Sequence, residues 1–241
     1  MKLLVINPNT TVSMTRKIEA AAIRAARPGT TIVAVQPASG PASIQGYYDV
    51  ARSLAGVLDV ASEHLDADAV VMACFDDSGL DALRCLFNGP VIGIGEAAFH
   101  VASMVSCRFS VVTTLARSVP GLRENLNRYG LNPRCAGIRA TDMPVLQLET
   151  APDEAEERIA AEIAAAVATD GTDAIVLGCS GMAELNRKLS DRFGIPVIDG
   201  VACATTMAEA LVAAGISTSK AGAYASIGEM PAAQKKSVSR V

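Results

Sequence analysis

The sequence predicts an α/β fold of two pseudo-symmetric lobes, each a short parallel sheet flanked by helices, with the functional site in the cleft between them. Three observations predict it. The first is an internal repeat: Asp68-Ala69-Val70-Val71-Met72-Ala73-Cys74 returns 105 positions later as Asp173-Ala174-Ile175-Val176-Leu177-Gly178-Cys179. Pro90-Val91-Ile92-Gly93 returns as Pro196-Val197-Ile198-Asp199, and Leu4-Val5-Ile6-Asn7 as Ser110-Val111-Val112-Thr113, both at an offset of 106. The second is that the short apolar runs are continuous in Val, Ile and Leu rather than alternating. Strands of that kind are covered on both faces, as in a parallel sheet. The third is that each run is followed by a longer amphipathic or Ala-rich segment, which supplies the covering helices.

In chain order the expected strands are 2–6, 31–36, 68–73, 90–93, 109–113, 135–139, 173–178 and 196–198. The expected helices are 13–27, 48–65, 79–87, 95–106, 117–129, 153–168, 181–193 and 201–214. The helix over 153–168 carries start signals: Thr150 as its cap, Pro152 in the first turn, and Asp153 and Glu154 near the positive end of the dipole. The repeat divides the chain into a first lobe of 1–98, completed by 207–228, and a second lobe of 99–206. The polar, basic stretch 229–241 reads as a disordered tail.

Composition narrows the class of function. The net charge is −4, there is no long basic run, and Trp is absent, so nucleic acid is not an expected partner. No apolar stretch approaches the roughly 18 residues of a membrane span, and the start reads as a strand rather than a signal peptide. A cytoplasmic protein is expected, with reduced thiols. Of the six cysteines, Cys85, Cys107, Cys135 and Cys203 read as buried packing. With only His64 and His100, neither a metal site nor a Ser-His-Asp triad is expected. Gly93-Ile94-Gly95-Glu96-Ala97-Ala98 fits the dinucleotide pattern GxGxxA, but it sits late in its lobe after a short strand. A glycine-bearing turn explains it more simply, and no cofactor is expected.

Ligands of open parallel sheets bind beyond the carboxyl ends of the strands. Cys74 and Cys179 both stand there, at equivalent points of the repeat. Facing each other across a pseudo-twofold cleft, one thiolate would remove a proton from a carbon acid and the other thiol would return one to the opposite face. Helix N-termini after each strand would lower the thiol pKa values, and backbone N–H groups there would hold the enolate. Asn7, Asn9 and Thr10 follow the first strand and read equally as ligand contacts or as helix caps. Thr113 and Thr114 hold the matching place in the second lobe. Asp76 and Asp77 read as acceptors of a ligand N–H, as groups that orient the loop, or as solvated loop carboxylates.

On Asn7-Pro8-Asn9-Thr10-Thr11, Ala73-Cys74-Phe75-Asp76-Asp77, Ser110-Val111-Val112-Thr113-Thr114, Leu177-Gly178-Cys179 and Pro196-Val197-Ile198-Asp199-Gly200, the chain resembles the aspartate/glutamate/hydantoin racemase superfamily, its hydantoin racemase branch most closely. The resemblance implies a cofactor-independent reaction with Cys74 and Cys179 as the two bases. It also implies a homo-oligomer, and ligand contacts from Asn9, Thr10, Thr114, Ser180 and Gly181. Two positions depart from the family pattern: Ser78 stands where proline is frequent, and Ser180 where alanine is frequent. The Cys-Asn-Thr and Cys-Thr-His or Cys-Thr-Glu motifs of the amino-acid racemases are missing. The ring carbon of a hydantoin is far more acidic than the α-carbon of an amino acid, which suits a site without an assisting histidine. The expected substrate is a 5-substituted hydantoin, with allantoin, itself such a hydantoin, as the alternative. Maleate cis–trans isomerisation and non-catalytic binding of a small molecule are more distant alternatives, as are a decarboxylase and a thiol redox protein with a Cys74–Cys179 disulfide.

Overall fold

The computed structural model describes residues 1–226. The tail expected over 229–241 lies outside the described residues. Two four-stranded sheets, all parallel, organise the chain. The first has the order β2-β1-β3-β4, from β1 (Lys2–Ile6), β2 (Thr31–Val35), β3 (Ala69–Met72) and β4 (Val91–Gly93). The second has the order β6-β5-β7-β8, from β5 (Phe109–Thr113), β6 (Cys135–Ala140), β7 (Ala174–Leu177) and β8 (Val197–Asp199). The two orders are the same once the repeat is applied. Register matches as well, with Ile6 beside Met72 and Val112 beside Leu177.

The helices are α1 (Val12–Ala25), α2 (Tyr47–Ser62), α3 (Leu80–Leu86), α4 (Ile94–Val105), α5 (Val119–Arg128), α6 (Gln147–Thr150), α7 (Pro152–Thr169), α8 (Asn186–Phe193) and α9 (Gly200–Ala213). The outer face of the first sheet packs on α2 and α3 through Val57, Ala61, Leu80 and Leu83. The outer face of the second packs on α7 and α8 through Ile159, Ile163 and Leu189. The inner faces share one core, in which Val5 and Val71 of one sheet join Val111 and Val176 of the other. Phe99 of α4 is its centre, edge-on to Phe75 at 5.3 Å and stacked on Phe109 at 5.9 Å. Burial on both faces is what the unbroken apolar strands require.

Each of α4 and α9 follows the last strand of its own sheet and crosses to the other: α4 packs on β7 and β8, α9 on β3 and β4. The division expected at residue 98 falls inside α4. Beyond α9 the chain returns to the first sheet's side. Thr218 donates its N–H to Asn88 O at 2.8 Å, and Tyr224 its hydroxyl to Asp81 at 2.9 Å.

Two local readings are corrected. Thr150 does not cap α7: Ala151 does, without a side-chain bond, and the Thr150 hydroxyl turns back to Leu146 O at 3.4 Å. The short helix α6 precedes it, and it is too brief to show a periodic signal. The helix expected over 181–193 is broken into a 3-10 turn (Ser180–Met182) and α8. Gly181 lies flat against Leu148 there, where an added Cβ would stand 2.9 Å from its methyl.

Candidate active site

The carboxyl ends of β1, β3, β5 and β7, the two central strands of each sheet, open on one cleft. Cys74 and Cys179 both line it, with Asn9, Thr114 and Ser180 beside them. The space not filled by atoms is about 430 Å³, counting its open mouth. Met14, Ile44, Leu122 and Val145 give it an apolar wall. Ile44 and Val145 enter from the loops that follow β2 and β6, so each lobe contributes one side of the wall.

Thr10 and Gly181 do not line the cleft. The Thr10 amide and hydroxyl both donate to Pro41 O, at 3.0 and 3.4 Å, which pins the loop carrying Ile44. Gly181 lies behind Cys179, where its N–H favours the thiolate and an added Cβ would be 3.7 Å from Sγ. Asn7 lines the cleft, and its Nδ2 donates to Asn9 Oδ1 at 3.0 Å and Thr15 Oγ1 at 2.9 Å. Asn9 Oδ1 also takes the Thr11 N–H at 2.9 Å, so the oxygen organises the start of α1. Among the described residues the Asn9 Nδ2 meets only the Met14 sulfur, at 3.6 Å. That weak contact leaves Asn9 a strong donor for a ligand. Thr113 donates its hydroxyl to Gly178 O at 3.1 Å and ties β5 to β7.

The two carboxylates after Cys74 are not solvated. Asp77 is buried and adopts a φ of 52°. Its oxygens accept from Gly95 N at 3.0 Å, Glu96 N at 2.8 Å and Tyr129 Oη at 2.7 Å. It therefore caps α4, and the glycines of the GxGxxA stretch make room for it: a Cβ on Gly93 would lie 2.0 Å from Asp77 Oδ1. Asp76 instead turns into the cleft, its Oδ2 3.9 Å from Cys74 Sγ. Nothing in the sequence separates Asp76 from Asp77, because two adjacent aspartates in a loop carry no sign of which one is drawn inward.

Burial disfavours the thiolate of both cysteines. Burial pushes Cys74 well above the ordinary thiol range, and Asp76 adds to it. Burial pushes Cys179 to about 11, against the Gly181 N–H. The expected lowering by helix N-termini does not occur, since α3 begins only at Leu80 and Cys179 is followed by a 3-10 turn. The dipole effect fades within one turn, and desolvation prevails. Asp76 itself is pushed to about 6 by burial.

All six cysteines are free thiols. Cys135 is buried and Cys85 and Cys203 half-buried, but Cys107 is exposed, contrary to the packing role expected of it. His100 donates from Nδ1 to Glu96 O at 2.8 Å within α4. Among the described residues no group of three His, Cys, Asp or Glu is placed to hold a metal, and no helix is long and apolar enough to cross a membrane.

The model of the Asp/Glu/Hydantoin racemase family matches residues 3–208. The chain belongs to that family. It is 48% identical to a hydantoin racemase of Rhizobium meliloti, over 93% of this chain and 94% of the relative. It is 40% identical to a hydantoin racemase of Paenarthrobacter aurescens, over 93% of this chain and 96% of the relative. Among solved structures, an allantoin racemase from Klebsiella pneumoniae superposes with a TM-score of 0.92 at 46% identity, covering 95% of each chain. A glutamate racemase from Francisella tularensis, 15% identical with a TM-score of 0.65, shares the two-lobe fold. At such identity to hydantoin racemases over nearly its whole length, this family member is an isomerase, a racemase.

Proposed function

We propose that the protein racemises 5-substituted hydantoins without a cofactor, by proton transfer at C5 between two cysteines. One observation carries this reading: Cys74 and Cys179, equivalent in the repeat, line one cleft from opposite sheets. One of them, as thiolate, takes the C5 proton from its face of the ring. The resulting enolate is planar at C5, and the other, as thiol, delivers a proton to the far face. The product enantiomer finds the roles exchanged, so the reaction runs both ways. Asn9 Nδ2 is a donor for the enolate oxygen, and Thr114 and Ser180 supply hydroxyls at the cleft wall. Thiols raised by burial are weak acids and hence strong bases once deprotonated, which suits removal of a carbon-bound proton.

The apolar wall of Met14, Ile44, Leu122 and Val145 favours a benzyl- or isobutyl-type substituent. A second reading, allantoin, is supported by the adjoining pocket, whose Arg117, Glu124 and Asn125 suit a ureido group. A homo-oligomer, which the resemblance implies, and a cytoplasmic location, which the sequence leads one to expect, belong to the same reading.

The test follows one enantiomer of benzylhydantoin, and separately of allantoin, in deuterated buffer, by optical rotation and by the C5–H NMR signal. Rotation should decay as deuterium enters, and Cys74→Ser and Cys179→Ser should each slow this by about 10²–10⁴-fold. Absence of exchange with both substrates would sink the hydantoin reading in favour of maleate isomerisation or plain binding.

A further inference from the structure

Two-cysteine racemisation leaves Asp76 without a task, yet its carboxylate lies within reach of the first sulfur. Oδ2 stands 3.9 Å from Cys74 Sγ, within hydrogen-bonding range of a thiol. The residue lines the thiol cleft and the adjoining pocket alike, so it sits where the two meet. Asn125 of α5 donates to its backbone carbonyl at 3.0 Å, which holds it in that place from the second lobe.

The groups around the pair are few. Across the cleft is Cys179. In the adjoining pocket are Tyr47, Arg117 and Glu124. Within the same turn the Ser78 hydroxyl and the Asp76 N–H both favour the Cys74 thiolate, against its burial. Asp76 responds to its burial and to the Cys74 thiol; none of the described cations neutralises it. A thiolate and a carboxylate this close, in a cleft this closed, repel each other strongly. The cleft therefore does not hold both anions at once.

We propose that Cys74 and Asp76 hold a single proton between them, and that Cys74 becomes a thiolate by passing its proton to Asp76. The Cys74 S–H bond breaks, an O–H bond forms on Asp76, and the electron pair stays on sulfur. One negative charge is present before and after, so no proton is lost to water and no second anion is created. The inference rests on the reading of Cys74 as a proton-transfer group. Asp76 acts through the sulfur and is a positioning residue for its proton. Burial moves Asp76 to about 6 and raises Cys74 as well, so at rest the proton stays on sulfur.

Asp76→Asn tests this, because it keeps the shape and removes both the charge and the proton acceptor. Alkylation of Cys74 by iodoacetamide, without substrate, is followed by peptide mass spectrometry from about pH 6 to about pH 10. Exposed Cys107 is the internal reference. The midpoint for Cys74 should fall by about one pH unit, giving about tenfold faster alkylation near neutral pH. The kcat for racemisation should fall by about 10²-fold, since the amide cannot take the proton. Opposite movements of alkylation and turnover are the signature; a merely structural role would leave the midpoint in place. Asp76→Ala, with its fold checked by circular dichroism, should shift the midpoint the same way. An unchanged or raised midpoint in both variants, or a retained kcat, would overturn the proposal. Alkylation needs no substrate, so a midpoint shift in a protein inactive on hydantoins would retire the substrate reading alone.

Discussion

Asp77 and Asp199 cap the two crossing helices from different places in the chain. Asp199 stands at the N-cap of α9 and accepts from Val201 N at 3.0 Å and Ala202 N at 3.1 Å. Its repeat partner is Gly93, which has no side chain, and the carboxylate for α4 arrives from the loop after β3 instead. Gly93 has an ordinary φ of −83°, so it is glycine for space and not for backbone freedom. Gly93→Ala should therefore cost about 1–3 kcal/mol by overpacking the Asp77 carboxylate, read as a lower denaturant midpoint. Stability equal to the parent would mean that Asp77 is not seated there. The cysteine pair was legible in the sequence because the repeat placed it. Asp77 was not, because its helix lies 17 positions further along and only the folded turn joins them.

Two loops close the cleft, and each is fastened to the first lobe. The loop after β2 is pinned by Thr10 and by Thr11, whose hydroxyl reaches Ala42 O at 2.6 Å. The segment between β6 and α7 carries Val145 and ends in α6, where Glu149 accepts from Ser13 Oγ at 2.5 Å and pairs with Lys17 at 3.5 Å. Ser13 and Lys17 belong to α1, so this clasp bridges the lobes over the site. Its strength comes from an ion pair that is only part-buried, which makes it a weak and reversible latch. Glu149→Ala should speed alkylation of Cys74 and Cys179 several-fold at every pH without moving either midpoint, and raise KM more than it lowers kcat. Unchanged alkylation rates would show that this segment does not control entry. Strands and long helices were legible from their periodicity. The four-residue α6 was not, since Gln147-Leu148-Glu149-Thr150 is shorter than the pattern that would reveal it.

Across the whole molecule, the same sheet order in both halves follows from the repeat, while the crossing of α4 and α9 follows from their composition. Ala97, Ala98 and Ala102 on one and Ala204 and Ala208 on the other let the helices pack closely in the shared core. Drawing the lobes together in this way buries acids at the strand ends. Burial raises Asp77 to about 7, Asp76 to about 6 and Asp199 to about 6, from an ordinary 3.8. Between about pH 4 and about pH 7 the unfolded chain has already released these protons while the folded chain still holds them, so stability falls as pH rises through that window. Below it the balance reverses. Asp170, held down by Arg139, and Asp173, held down by the Cys107 and Arg108 amides, lose their stabilising charge as pH falls. The Tm should therefore peak on the acid side, near pH 4–5, and decline toward neutrality. Asp199→Asn keeps an oxygen for the cap and removes one of the three titrations, so it should flatten the decline without abolishing it. A Tm that climbs from about pH 5 to about pH 8 would show that the amide donors around these carboxylates outweigh their burial, and the proton shared by Cys74 and Asp76 would then lose its electrostatic support.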